Sequence, residues 1–190
     1  MTAVPRPGSP EPDFLHLGDE LVYQGHIWRV VVGRFRAPDG HEFTRDIVRS
    51  PGAVAVVAVD DAGNVVLLRQ YRAAFGRTIV EIPAGMRDVE GEDPVETARR
   101  ELIEEAGLTA RDWTLLHRFL PSTGMTDSVL EVFLATGLSE VDRATHGPEE
   151  DHMEVFRVPL GEAVAMVESG EIADAKSTIG LLLADRRRPG

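Results

Sequence analysis

The sequence predicts an α/β fold, an α/β/α sandwich with a mixed sheet that is preceded by a small N-terminal antiparallel sheet. Short apolar runs, typical of buried strands, recur along the chain between turn residues. One helix with clear end signals lies between these strands, and two further helical stretches follow near the C-terminus. Strands in such an arrangement, with helices to cover both faces of a sheet, indicate a layered α/β architecture.

The composition is that of a globular domain with a sizeable core. The chain has 190 residues, of which 43% are hydrophobic, and it contains no cysteine, which excludes disulfides and is compatible with a cytoplasmic location. No apolar run reaches about 18 residues, so we expect no membrane association. The net charge of −12 argues against binding to nucleic acid, whereas bound cations and a few arginines would still permit a phosphorylated small molecule.

The N-terminal part of the chain divides into two predicted segments. Residues 1–18 contain four prolines and few apolar residues, and we expect a disordered tail. Residues 19–50 show alternating apolar positions on either side of a turn at 37–40, which predicts the small antiparallel sheet. Residues 51–190 are then expected to form the main domain.

The main domain contains several short apolar runs that predict strands. Before the central helix these lie at 54–59, 65–68 and 79–83, and after it at 113–119, 129–134 and 156–159. Helical stretches are predicted at about 161–169 and 174–186, with a break at Gly170.

The central helix is defined by both of its ends. Asp93 is a good N-cap, Pro94 suits the first helical position, and Gly107 is a natural stop. An apolar stripe on this helix should face the core, and it consists of Val95, Ala98, Leu102 and Ala106. Glu101 and Glu105 lie one turn apart at the edge of this stripe, away from the solvated face.

Four glutamates surround one arginine in this stretch, namely Glu92, Glu101, Glu104 and Glu105 around Arg100. Such a cluster is most often a solvated acidic face. Like charges one turn apart nevertheless destabilise a helix by a few tenths of a kcal/mol, roughly, unless a cation neutralises them. Hard oxygen ligands with no soft ligand beside them suit Mg²⁺ or Mn²⁺. The sequence therefore predicts a metal site on this helix.

The stretch resembles the Nudix box, G-x5-E-x7-R-E-U-x-E-E-x-G-U, in which U is aliphatic. Seven residues follow Glu92, and R-E-L-I-E-E-A-G-L then occupies positions 100–108. One departure is that six residues, in place of five, separate Gly85 from Glu92. Because the extra residue lies in the loop, the ligand spacing on the helix is unchanged.

The chain is thus identified as a member of the Nudix hydrolases, which implies a Nudix-type sandwich and hydrolysis of a nucleoside diphosphate linked to another group. The resemblance implies metal binding at four positions, which are Ala84 through its carbonyl, Glu101, Glu104 and Glu105. It implies that Glu92 and Arg100 form a supporting ion-pair network, since an arginine cannot act as a base.

Beyond the box, residues from about 43 to 183 resemble bacterial ADP-ribose pyrophosphatases. The matching segments include F-T-R-D at 43–46, Q-Y-R at 70–72 and E-I-P-A-G at 81–85. This resemblance implies Mg²⁺-dependent cleavage of ADP-ribose to AMP and ribose 5-phosphate by a homodimer joined through the N-terminal sheet. It implies substrate contacts at Arg45, Arg72, Glu81 and Gly85.

The same resemblance places the catalytic base in the loop before the last strand. The matching segment is P-E-E-D at 148–151, so Glu149 and Glu150 are both candidates for the residue that activates water. Closure of such a loop would complete the site.

Two departures from that group leave the substrate open. Thr123 stands where relatives commonly have proline, and Ser128 follows Asp127 where many relatives have a glutamate. Alternative substrates are therefore a GDP- or UDP-sugar or a dinucleotide. A non-catalytic nucleotide-binding regulator is a third possibility, although the four intact box glutamates favour an enzyme.

Overall fold

The computed structural model describes residues 14–143 and 152–187, which form two compact units. The first comprises residues 14–50 together with Gly124–Asp127, and the second contains the other described residues from Pro51 onward. The segment Gly124–Asp127 was not predicted to join the first unit. It does so because the Val48 N–H donates to the Met125 carbonyl at 2.9 Å and the Thr126 hydroxyl donates to the Val48 carbonyl at 2.7 Å.

The first unit is a three-stranded antiparallel sheet, as predicted. Its strands follow chain order, and they are β1 (Leu15–Gln24), β2 (Arg29–Arg36) and β3 (Glu42–Arg49). Strands β2 and β3 pair without interruption from Arg29↔Arg49 to Arg36↔Glu42, on either side of the predicted turn.

The prediction of a tail through residue 18 was wrong for residues 15–18, because β1 begins at Leu15. Leu15 pairs with Arg36, and an irregularity between His16 and Gly18 lets the strand continue along β2. Gly18 adopts a φ of 137°, which a side chain would disfavour. The prolines that suggested disorder all precede this strand, and residues 1–13 of the expected tail lie outside the described residues.

The second unit contains two sheets. Its strands are β4 (Ala53–Ala58), β5 (Asn64–Arg72), β6 (Arg77–Glu81), β7 (Ala84–Met86), β8 (Leu108–Phe119), β9 (Leu130–Glu140) and β10 (Glu154–Pro159). One sheet has the order β7-β4-β9-β8 and the other β10-β5-β6. Since β4 and β9 are parallel while the other neighbours are antiparallel, the larger sheet is mixed, as predicted.

Three helices are described, α1 (Pro94–Ala106), α2 (Leu160–Glu168) and α3 (Ala175–Asp185). Alternate residues of β4 serve two apolar clusters, because Val54 packs in a cluster with Leu102 of α1 and Ala55 in a cluster with Leu181 of α3. The central strand is thus buried on both faces, which explains its continuous apolar run. Within the described part of the chain, no helix is long and apolar enough to cross a membrane.

The observed elements differ from the predicted ones mainly at their ends. Strands β5 and β9 are longer than predicted because they continue to pair with a neighbour past their last buried residue, and β8 begins earlier than predicted because Leu108 already pairs with Glu140. Strand β7 was not predicted, since only three residues of it pair with β4. That short pairing delivers Gly85 to the functional site.

Candidate active site

Helix α1 has the predicted ends. The Asp93 side chain accepts a hydrogen bond from the Val95 N–H at 3.1 Å, and Pro94 is the first helical residue. Gly107 takes the left-handed conformation with φ 65°, and its N–H donates to the Ile103 carbonyl at 2.9 Å. These ends fix which residues of the helix face the sheet.

Glu101 and Glu105 are both buried, although they are charged residues on an amphipathic helix. Glu105 Oε2 accepts a hydrogen bond from the Ala84 N–H at 2.7 Å. Ala84 therefore contacts Glu105 of the helix through its N–H, whereas the role expected from the sequence was metal binding through its carbonyl. The two carboxylates lie one helical turn apart beside strand β7.

Gly85 allows the close approach of Glu101. A Cβ atom built on Gly85 would lie 1.9 Å from Glu101 Cδ and about as close to both carboxylate oxygens, which no real contact permits. The glycine therefore acts by having no side chain. This role differs from the substrate contact expected for Gly85, which stays a prediction.

Arg100 bridges the acidic residues of the box. Its Nη1 donates to Glu101 Oε1 at 2.9 Å and to Glu104 Oε2 at 3.3 Å. Its Nη2 lies 3.0 Å from Asp88 Oδ1 and 3.5 Å from Glu92 Oε2. Burial opposes the charge of Arg100, but the carboxylates outweigh that effect and raise its pKa.

Glu92 is held from two sides, because besides facing Arg100 it accepts a hydrogen bond from the Thr97 hydroxyl at 2.7 Å. The structure therefore brings Glu92 and Arg100 together, and it adds Asp88 and Thr97, which the sequence analysis did not single out. Both lie within the box, at positions where its pattern allows any residue, and their residue types are common in any loop or helix.

Glu105 has an unusually high pKa for a carboxyl group. Burial and, to a smaller extent, the neighbouring Glu101 charge raise its pKa from 4.5 to about 8. The Ala84 N–H and the cations Arg72 and Lys176 act in the opposite direction without cancelling the effect. A cation bound beside Glu105 would favour the ionised form.

The donor set fits a divalent cation. Two buried carboxylates one turn apart, in a space kept open by Gly85, offer hard oxygen ligands. Among the described residues no three acidic or histidine side chains converge to enclose an ion, and Arg100 and Ala84 engage the carboxylates. The candidate bases Glu149 and Glu150 lie outside the described residues.

A second polar group adjoins these carboxylates. Arg72 donates from Nε to Glu81 Oε2 at 3.0 Å, and its Nη2 contacts the same oxygen. Lys176 Nζ lies 3.3 Å from that oxygen and 2.9 Å from Asp174 Oδ2. The structure thus brings together the predicted substrate residues Arg72 and Glu81, and adds Lys176 and Asp174.

Asp174 and Ser177 begin α3 in a way that the sequence could have revealed. Asp174 accepts hydrogen bonds from the N–H and the hydroxyl of Ser177, at 3.0 and 2.6 Å. The D-x-x-S pattern is a helix-start signal, which the sequence analysis did not single out. That the start of α3 lies close to Glu81 depends on tertiary packing.

Arg45 belongs to the first unit. Its Nη1 donates to the Thr44 carbonyl at 2.7 Å, and its guanidinium carbon lies 4.7 Å from the centre of the Phe43 ring. In the same unit, Asp127 accepts hydrogen bonds from the Ser50 N–H at 3.0 Å and from Arg49 Nη1 at 3.2 Å. The Asp127 carboxylate therefore secures the segment 124–127.

Comparisons with known proteins agree on one family. The NUDIX domain model matches residues 49–179. The chain is 41% identical over 172 residues to an ADP-ribose pyrophosphatase of Mycobacterium tuberculosis, and this alignment covers 90% of the chain and 83% of the relative. It is 40% identical over 165 residues to an ADP-ribose pyrophosphatase of Bacillus subtilis, which covers 87% and 89%.

A solved structure shares the fold. The crystal structure of an ADP compounds hydrolase superposes with a TM-score of 0.79 at 22% identity and covers 94% of this chain and 96% of that one. At this level of identity the likeness concerns the fold alone.

Proposed function

Because the chain belongs to the Nudix family and is a Nudix hydrolase, we propose that it splits ADP-ribose into AMP and ribose 5-phosphate. The pair of buried carboxylates, Glu101 against Gly85 and Glu105 on the Ala84 N–H, carries the proposal. Such a pair is suited to holding the cation that a diphosphate needs before water can attack phosphorus. The similarity to two ADP-ribose pyrophosphatases supports this substrate.

The proposed metal is Mg²⁺, with Mn²⁺ as a substitute, held by Glu101 and Glu105. Glu104 and the Ala84 carbonyl are further candidate ligands. When bound, the ion neutralises the diphosphate and makes a coordinated water more acidic. Arg100 keeps Glu101 and Glu104 in place, since its two Nη atoms reach four carboxylates.

The reaction itself is a substitution at phosphorus. The oxygen of a water molecule forms a bond to one phosphorus, the bridging P–O bond breaks, and the water proton passes to a base for which Glu149 or Glu150 is proposed. Arg72 and Arg45 are proposed to contact the phosphates or ribose, with Glu81 orienting Arg72. Charge-assisted contacts of this kind position the diphosphate for attack.

The proposed assembly is a homodimer joined by the first unit. Large apolar side chains of this sheet are exposed, including Leu15, Leu21, Val22, Tyr23 and Trp28. Several large apolar side chains exposed together in one small unit are typical of an interaction surface. A second copy presenting the same face would cover it. The proposed location is the cytoplasm, with which the absence of cysteine is compatible.

A substrate panel tests the activity. Purified protein with Mg²⁺ is offered ADP-ribose, a GDP-sugar, a UDP-sugar and a dinucleotide, and products are separated by chromatography. We expect AMP and ribose 5-phosphate from ADP-ribose, and none when EDTA is added. If a GDP- or UDP-sugar is cleaved preferentially, that sugar replaces ADP-ribose as the proposed substrate. Thr123 would then be the first position to examine for substrate preference. If no diphosphate linkage is cut with any metal, the proposal of an enzyme fails and the alternative of a non-catalytic nucleotide-binding regulator replaces it.

The choice of base is tested by separate Glu149→Gln and Glu150→Gln variants. We expect one of them to lower kcat by about 100-fold or more, the usual contribution of a general base, while the other stays close to wild type. Normal rates in both would remove the loop from the mechanism.

A further inference from the structure

The single lysine of the chain, Lys176, lies in an unusual place. It occupies the first turn of α3, where the partial positive charge of the helix end disfavours a cation. Its side chain is only 11% exposed, although lysine is rarely buried. Two carboxylates compensate for this burial, Glu81 at 3.3 Å and Asp174 at 2.9 Å. An ordinary surface lysine would be expected neither in the first turn of a helix nor with a side chain buried to this extent.

The charges form an alternating series across three elements. It begins at Asp174 before α3 and continues through Lys176 and Glu81 of β6 to Arg72 of β5. Exposure is lowest in the middle of the series, with 6% for the Glu81 side chain and 11% for that of Lys176, and it rises to 21% at Asp174 and to 36% at Arg72. Arg72 is thus the more accessible of the two cations, and the one that an anionic ligand can reach.

Glu81 is shared between two cations through one oxygen. Both Nε and Nη2 of Arg72 contact Oε2, and Lys176 Nζ lies beside the same atom. Lys176 therefore shares that oxygen with Arg72 and is a second cation that holds the carboxylate in place. A buried carboxylate with a single cation partner would turn towards it and change the direction of the guanidinium.

The start of α3 also fixes the backbone that follows Glu81. The Ser177 hydroxyl accepts a hydrogen bond from the Ile82 N–H at 2.9 Å, and the Pro83 carbonyl accepts one from the Val56 N–H at 2.8 Å. The next N–H, that of Ala84, donates to Glu105. The segment that carries Glu81 is therefore immobilised up to the carboxylates of α1.

We propose that Lys176 is a positioning residue that orients the Arg72 guanidinium for the substrate diphosphate by holding Glu81. This inference rests on the proposed function, because it assigns the diphosphate as the ligand of Arg72. Lys176 itself acts through Glu81 and takes no part in the bond changes.

Kinetics of four variants test the proposal. Lys176→Met keeps the length of the side chain without its charge, and we expect the KM for ADP-ribose to rise about tenfold with kcat within about twofold. Lys176→Arg should restore most of the affinity. Arg72→Met should raise KM by at least as much, and the double variant should be no worse than Arg72→Met alone, because both act on one contact.

Arg186→Met is the matched control, since it removes an exposed cation from the other end of the same helix. It should leave KM unchanged. Thermal unfolding of every variant shows whether each is folded at the assay temperature. An unchanged KM in Lys176→Met overturns the proposal, and so does an additive effect in the double variant, which would indicate a general structural role.

A measurement without turnover separates this proposal from the proposed function. Because the chain has one lysine, protein labelled with ¹³C at the lysine ε-carbon gives one lysine side-chain signal. We expect that signal to move in Glu81→Gln and to stay in place in Arg186→Met. A signal indifferent to Glu81→Gln overturns the positioning role whatever the substrate is. If wild type fails to cleave ADP-ribose but the signal responds, the substrate assignment alone fails, and KM is compared on the substrate that the panel identifies.

Discussion

Gly85 shapes the site because it has no side chain. The Glu101 carboxylate occupies the space that a Cβ would fill, and Glu105 is tied to the backbone of the preceding residue. Two carboxyl groups are thereby buried at fixed positions. Ionising both of them without a cation is unfavourable, so a bound divalent cation would stabilise the ionised pair.

Gly85→Ala tests the close approach at residue scale. The added methyl group would displace the Glu101 carboxylate, so we expect activity to fall by about 100-fold or more, the scale of a misplaced catalytic group. Hydrolysis rates at several Mg²⁺ concentrations measure the effect. The control is Gly63→Ala, where the φ of 83° is strained for alanine but no atom lies within 4 Å. It should lower stability and leave the rate close to wild type, and an equal loss of rate in both would refute the role of Gly85.

The raised pKa of Glu105 predicts a pH dependence of stability in EDTA. The ordinary pKa is 4.5 and the folded value is about 8, so the folded state binds the proton more tightly between these values. The contribution of this group is complete below pH 4.5 and is lost as the pH rises towards 8. Chemical unfolding across this range should show the loss.

Glu105→Gln isolates that effect, because glutamine does not titrate. The stability of this variant relative to wild type should rise from pH 4.5 to 8 in EDTA. Saturating Mg²⁺ should remove the decline in wild type, since a cation favours the carboxylate. A constant difference between the two proteins across the range would contradict the assignment.

At the scale of the element, α1 combines three features, which are defined ends, an apolar stripe and a pair of buried carboxyl groups. Its ends are fixed by Asp93 and Gly107, its apolar stripe packs on β4, and its carboxylates face β7. The caps set the rotation and the length of the helix, and only then does the stripe bring both carboxylates under the sheet edge. A small shift of the helix would separate Glu105 from Ala84.

Asp93→Ala tests the cap. Loss of the hydrogen bond to Val95 should reduce the free energy of unfolding by about 1 kcal/mol, which corresponds to a fall of roughly 2–4 °C in Tm for a chain of this size. Calorimetry measures the change. Glu96→Ala, which removes an exposed side chain from the same turn, should alter Tm less. Equal effects would mean that the cap contributes nothing specific.

At the scale of the whole molecule, the exposed apolar side chains of the first unit predict a dimer. Light scattering at micromolar concentration should give about twice the chain mass of 20.8 kDa. Val22→Asp places a charge on the exposed β1 surface and should yield the monomer. Val141→Asp, at another exposed position in the second unit, is the control and should stay dimeric. A monomeric wild type would remove the dimer proposal.

The sequence anticipated the helix and its carboxylates because these depend on neighbours within one or two turns. Asp93, Pro94 and Gly107 define the ends locally, and the spacing of Glu101 and Glu105 follows from helix geometry. The buried strand β4 was likewise evident from its apolar run. Errors arose where pairing decided the outcome, as at Leu15 and at β7.

By itself, then, the sequence determined the family, the α/β class and the residue types of the proposed metal site, since each follows from local pattern. The tertiary structure alone decided that Gly85 makes room for Glu101 and that Lys176 shares Glu81 with Arg72. Ile82 and Ser177 are 95 positions apart, and their hydrogen bond exists only because α3 packs on the sheet. Contacts at such separation depend on how elements pack, which no local pattern specifies.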